Sequence, residues 1–344
     1  MIKRAENTKR IAYIDFLRII ACFLVIVNHT NSVIFLNSTP SSCLWWLSLS
    51  AFFVSRIAVP IFIMITGATL LNANDNYRTT FKRIFRMIAV LLIFSFLYYS
   101  RKAIRGHNFS LKTFFIDIYN KPITNAYWYL YLYLYIGILL MIPFLQKFVK
   151  NLKKNDFLIF FTISFLVYSI WPVIVHFYPG LAFNKNFQLP LFGIYICYLL
   201  LGYYISNYDP KYKTGFFISI IIFNASLFIN VIMTYFEYLR NQESYTFFSN
   251  REFFLIAVPS VCMFYLCRIT DWGGVQFINA IGKCTFGIYL LSDYFIGVFH
   301  PTYQMMNEKM PVWLAMFFYQ CMIFCTGLII TWLLKHIPVI KKLI

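Results

Sequence analysis

Residues Arg10–Asn31, RIAYIDFLRIIACFLVIVNHTN, decide how the rest of the chain is read. The stretch is apolar, and at ~1.5 Å rise per residue it is long enough to cross the ~30 Å hydrocarbon core of a bilayer. It nevertheless carries Asp15, Arg18 and His29. An ionisable group in a membrane span costs roughly 2.5 kcal/mol or more by insertion scales, so it must face protein or a water-filled cavity and marks function by default. Arg18 and His29 are eleven residues apart. That is about three turns, so they share one face and sit ~16 Å apart along the axis. Asp15 and Arg18 are i,i+3 neighbours, placed to pair.

Composition extends this reading to the whole chain. The 344 residues are 60% hydrophobic, 21% aromatic and 12% charged, whereas a soluble domain is about 25% charged. Apolar runs of about 20 residues recur and read as transmembrane helices. Ten spans are expected, at 11–31, 46–71, 84–100, 127–145, 157–177, 187–205, 216–236, 253–269, 277–299 and 312–334. The expected fold is therefore all-α, a polytopic membrane helical bundle of about ten transmembrane helices. No long polar linker or internal repeat divides it, so residues 1–344 read as a single domain. The basic residues followed by a long, charge-bearing apolar run read as a retained first span rather than a cleaved signal.

The net charge of +18 would suggest nucleic acid on a soluble protein. Here it reads as Lys and Arg concentrated in cytoplasmic loops, with attraction to anionic lipid secondary, and no nucleic-acid partner is expected. Ten spans put both termini on one side, and the segments on that side hold eighteen basic residues against nine on the other. Both termini are accordingly expected in the cytoplasm. The segment 101–126 carries Arg101, Lys102, Arg105, Lys112 and Lys121 yet falls outside. It reads either as a loop that meets an anionic acceptor or lipid, or as the sign of one misread span.

The eight cysteines make no paired CxxC motifs, so no metal site and no disulfide framework is expected. Buried cysteines acting as small hydrophobes are the simpler reading. GxSxG, P-loop, GxGxxG and HExxH motifs are absent from the sequence, and the enzyme families they mark are not supported.

Four places carry candidate chemistry. His29 lies near the outer end of the first span, and an imidazole titrating near neutrality is the usual general base; a histidine satisfied by a helix–helix hydrogen bond is the plain alternative. Arg83 and Arg86, in KRIFR, lie i,i+3 at the cytoplasmic start of the third span. Paired guanidinium groups grip phosphates bidentately, although positive charge at a span end is also ordinary topology. Arg56, in SRIAVPIFIMITG, needs a partner such as Asp15 or a lipid phosphate, unless it snorkels to the interface. Asp293, in CTFGIYLLSDYF, is deep enough in its span to pair with a cation or orient a histidine. His300 is expected near it, and His176 near the outer end of the fifth span without an assigned role. The aromatic residues of Cys43-Leu44-Trp45-Trp46 and Tyr127-Trp128-Tyr129 read as an interfacial belt.

These segments, taken together, resemble the membrane acyltransferase 3 family. RIAYIDFLRIIACFLVIVNHT is similar to the family's opening span, with Arg18 and His29 at its Arg–His spacing. RIAVPIFIMITGATLL resembles the VPxFFxxSG segment, with Thr66-Gly67 in place of Ser-Gly. Arg83-Ile84-Phe85-Arg86 matches the cytoplasmic RxxR, and AYWYLYLYLYIGILLMIPFL the aromatic fourth-span signature. FGIYLLSDYF resembles a late motif often ending YLLH, but Ser292 and Asp293 stand at its end. The resemblance covers essentially the whole chain. It implies a bacterial inner-membrane enzyme that moves an acetyl group from cytoplasmic acetyl-CoA to a hydroxyl of a surface polysaccharide or its lipid-linked precursor. His29, Arg18 and Asp15 would then be the catalytic candidates, with Arg83, Arg86 and Arg56 holding the donor. A transporter or lipid-linked-sugar flippase is the competing expectation.

Overall fold

The computed structural model describes residues 12–73, 75–104, 110–120, 129–184, 193–208, 214–241, 247–249, 253–270 and 276–344. Among them the chain is helical throughout, with no strand. In order the helices are α1 (Ala12–Asn37), α2 (Cys43–Arg56), α3 (Ala58–Leu70), α4 (Tyr77–Ile104), α5 (Leu111–Asn120), α6 (Tyr129–Asn151) and α7 (Lys154–Phe165). They continue with α8 (Trp171–Phe177), α9 (Ile194–Asn207), α10 (Thr214–Asn241), α11 (Phe254–Thr270), α12 (Gln276–Lys309), α13 (Val312–Leu334) and α14 (Pro338–Lys341).

Each expected span is helical over most of its described residues. The starts at 11, 127 and 187, and Arg105 and Lys121 of the basic segment, lie outside the described residues. Among the described residues, six helical stretches are long and apolar enough to cross a membrane: Tyr13–Asn31, Cys43–Leu70, Tyr131–Asn151, Lys154–Phe177, Gly215–Asn241 and Val312–Leu334. The helices α9 and α11 are apolar but shorter, whereas α4 and α12 have the length and carry more polar side chains. The outer helices expose large apolar side chains, among them Phe217, Ile221 and Phe228 of α10. Such a face suits lipid and would be a liability in water.

The first helix is the axis of the bundle. It packs against α2, α3, α11, α12 and α13, and Leu17, Ala21, Cys22 and Ile26 along it are wholly buried. Small residues set the closest contacts, as expected where backbones must approach without a hydrophobic driving force. A Cβ on Gly67 of α3 would stand 1.9 Å from the Leu199 carbonyl oxygen of α9, and one on Gly202 of α9 would stand 1.9 Å from that of Met64.

Prolines explain two departures from straight spans. The second expected span, 46–71, is two helices meeting at Ile57. Proline clashes with the carbonyl four residues before it, and for Pro60 that residue is Arg56, the last of α2. The fifth span carries a π-helical turn at Leu166–Ile170, which contains Tyr168, four residues before Pro172. The widened turn accommodates the proline ring while the helix continues. The basic segment 101–126 is partly structured: α5 packs on α4 through Phe114, which meets Tyr99 at 5.3 Å and Phe96 at 5.6 Å between ring centroids.

One side chain enters the ladder of another helix. The Tyr98 hydroxyl of α4 donates to the Leu290 carbonyl of α12 at 3.1 Å and accepts from the Tyr294 N–H at 2.9 Å. It brackets the turn that carries Ser292 and Asp293.

Candidate active site

The candidate residues of α1 start the site. Asp15 is wholly buried and accepts a hydrogen bond from the Arg18 guanidinium at 2.9 Å. Gly282 of α12 makes room for it, since a Cβ there would fall 2.7 Å from that of Asp15. The pair turns Arg18 into a cavity of about 540 Å³ between α1, α3, α4, α6 and α12. One turn further along α1, the Cys22 thiol donates to the Thr285 carbonyl of α12 at 3.4 Å.

The cavity has two unlike ends. At one, Arg18, Arg86, Lys283 and Lys335 bring four cations together from α1, α4, α12 and the end of α13. At the other, Phe62 of α3, Tyr131 of α6 and Tyr289 of α12 meet as three mutually contacting rings, with centroids 5.9, 6.4 and 6.1 Å apart. Helix registers fix this polarity. Tyr289 lies six residues beyond Lys283 on α12, or about 9 Å at ~1.5 Å per residue. Phe62 is the lining residue of α3 furthest from its Leu70 end, where the Leu70 carbonyl accepts from Gln146 of α6 at 2.7 Å. Tyr131 is correspondingly at the opposite end of α6 from Gln146.

Arg83 and Arg86 behave differently. Arg86 lines the cavity and donates from Nε and Nη2 to the Leu343 carbonyl at 3.0 and 2.9 Å. Arg83 is engaged by Asp75 in a bidentate ion pair. Arg18, Arg83 and Arg86 all lie within electrostatic reach of Tyr135, whose ring stacks on Tyr131 at 6.0 Å. Thr66, the residue at the Ser position of the second-span motif, lies beside both tyrosines and donates its hydroxyl to the Phe62 carbonyl at 2.9 Å.

His29 stands apart from the cations. It is half-buried three turns along α1 from Arg18. The preceding Asn28 accepts from the Ser55 hydroxyl at 3.2 Å, which brings the end of α2 beside it. Arg56 therefore belongs to the His29 level of the bundle rather than to the Arg83–Arg86 level, and its guanidinium lies over the Phe52 ring at 5.5 Å. Asp293 is one turn beyond Tyr289 on α12, within electrostatic reach of Tyr319. His176 is occupied elsewhere, 2.9 Å from Glu237 of α10 and stacked on Phe247 at 3.8 Å.

Sequence reasoning had passed over Lys283, Lys335, Phe62, Tyr131, Tyr135 and Tyr289. YLYLYLY held a simple signal: Tyr131 and Tyr135 are i,i+4 and so share a face, and that face is the cavity wall.

A multi-helix membrane bundle with a cation-ringed cavity in its axis defines the class. A family model described as an acyltransferase domain matches residues 11–336. The chain belongs to the acyltransferase 3 family, and it is a multi-pass membrane acyltransferase. No curated protein and no solved structure matches it.

Proposed function

We propose that the protein moves an acetyl group from cytoplasmic acetyl-CoA to a hydroxyl of an extracytoplasmic surface glycan or its lipid-linked precursor, across a ten-span bundle of the bacterial inner membrane with both ends in the cytoplasm. The observation that carries this reading is the cationic cavity, where Arg18, Arg86, Lys283 and Lys335 meet, with an imidazole three turns further along α1. Cations at a helix-lined mouth suit the phosphates of a nucleotide thioester, with guanidinium groups giving the geometric match. The pantetheine arm is thin enough to follow a cleft between helices.

Three turns along α1 from Arg18, beyond the residues that line the cavity, His29 would take the proton of the acceptor hydroxyl as its oxygen attacks the thioester carbonyl carbon; the carbon–sulfur bond breaks and the thiolate leaves with the donor. The residue is equally placed to accept the acetyl group first and pass it on. Asp15 acts through Arg18, by fixing its direction.

His29→Ala tests the reading. The variant is expected to insert and fold while the cell's surface glycan loses its acetyl mass. Undiminished acetylation would end the assignment of His29, and wild-type cells whose glycan carries no acyl group dependent on this gene would end the acetyl-transfer reading itself.

A further inference from the structure

The ring wall gives this site a property of its own. Phe62, Tyr131 and Tyr289 are in pairwise contact, within the 4.5–7 Å centroid range of packed aromatic pairs, so the three form one packed cluster. The wall is held from two sides. Tyr131 is stacked by Tyr135, with Thr66 beside it, and Tyr289 is buried, with only 5% of its surface exposed. It stands between the cationic end and the level of His29, Arg56 and Asp293, since Tyr289 is one turn short of Asp293 on α12 and Phe62 is six residues short of Arg56 along α2 and α3.

We propose that Phe62, Tyr131 and Tyr289 set the size of the acyl group the enzyme accepts and hold it to two carbons. The proposal rests on the donor reading above. A thioester entering from the cationic end brings its acyl group against the three rings. A two-carbon group displaces one ring edge. Each further methylene must displace more of a close-packed wall, and overfilling such a site costs ~1–3 kcal/mol, which is about 5- to 150-fold in binding. Of the three, Phe62 is the one to alter first: it is half-buried, it carries no hydroxyl, and shortening it opens the wall without leaving a buried polar group unpartnered.

The test is thermal stabilisation of the full-length, detergent-solubilised protein by acetyl-, propionyl-, butyryl- and hexanoyl-CoA. The wild type is expected to respond to acetyl-CoA at concentrations at least tenfold lower than to butyryl- or hexanoyl-CoA. Phe62→Leu and Phe62→Ala should narrow that gap stepwise, and Tyr289→Leu should narrow it independently. A wild type indifferent to chain length, or variants that keep the wild-type preference while remaining folded, would overturn the proposal and leave the donor reading standing. A wild type stabilised by none of the thioesters would instead overturn the donor reading on which the proposal depends. Phe62→Leu, which keeps an apolar side chain of moderate size, provides a folded variant should the alanine form fail.

Discussion

Asp15 and Arg18 are joined at 2.9 Å with the carboxylate wholly buried and the guanidinium a third exposed. The carboxylate lies under the Cα of Gly282, where any larger residue would collide with it. Asp15→Asn should therefore disorder Arg18 more than it disturbs the bundle. The cost falls between the ~0.2–1 kcal/mol of a solvent-exposed pair and the ~3–5 kcal/mol of breaking a buried one, because the cavity screens one partner. The expected result is a raised KM for the donor with a folded protein on size exclusion. Gly282→Ala should reproduce the effect without touching either charge.

Arg83 and Arg86 separate in the structure and should separate in kinetics. Arg86 faces the cavity, whereas Arg83 is committed to Asp75. A hydrogen bond to a charged group is worth ~1.5–3 kcal/mol, so Arg86→Ala should raise the donor KM by roughly tenfold or more. Arg83→Ala should raise it less and lower thermal stability instead. Equal KM shifts in the two variants would contradict the division of roles.

Arg56 sits at the His29 level, beside the Ser55–Asn28 contact. Arg56→Ala is accordingly expected to lower kcat with the donor KM unchanged, whereas a residue gripping donor phosphates would shift KM. Steady-state kinetics over a donor concentration series distinguishes the two.

The α3–α9 contact leaves no room for side chains. Gly67→Ala or Gly202→Ala drives a methyl group into a backbone carbonyl of the facing helix. Overpacking of this kind costs ~1–3 kcal/mol, and because the obstacle is backbone the loss should fall at the upper end. Thermal unfolding in detergent should drop for both, with little further loss in the double variant because the contact is shared.

Glu237 is buried, bonded to His176 at 2.9 Å and to the Asn241 amide at 2.9 Å. Glu237→Ala leaves His176 and Asn241 without that acceptor and should lower the unfolding temperature, while activity per folded molecule stays at the wild-type level.

The apolar run of α1 with its three ionisable groups was enough to reveal a membrane helical bundle. The Arg18–His29 spacing translates directly into two levels of one helix, of which the Arg18 level lines the cavity, because helical rise is fixed by the backbone. The break at Ile57 was legible in Pro60, whose ring clashes with the carbonyl of Arg56. The cations contributed by Lys283 and Lys335 were not legible: each looks like an ordinary charge at a span end, and only the packing of α12 and α13 against α1 brings them to one cavity. The ring wall was invisible for the same reason, since its members come from three helices and each looks like an interfacial aromatic when read alone.

Tyr98 completes the account of α12. Its phenol is shared between the Leu290 carbonyl and the Tyr294 amide, so the backbone around Asp293 has a second partner supplied by α4. A helix buttressed this way is braced from outside at one turn: the segment presenting Asp293 is tied to α4 as well as to its own ladder, so a change in either helix is felt by the other.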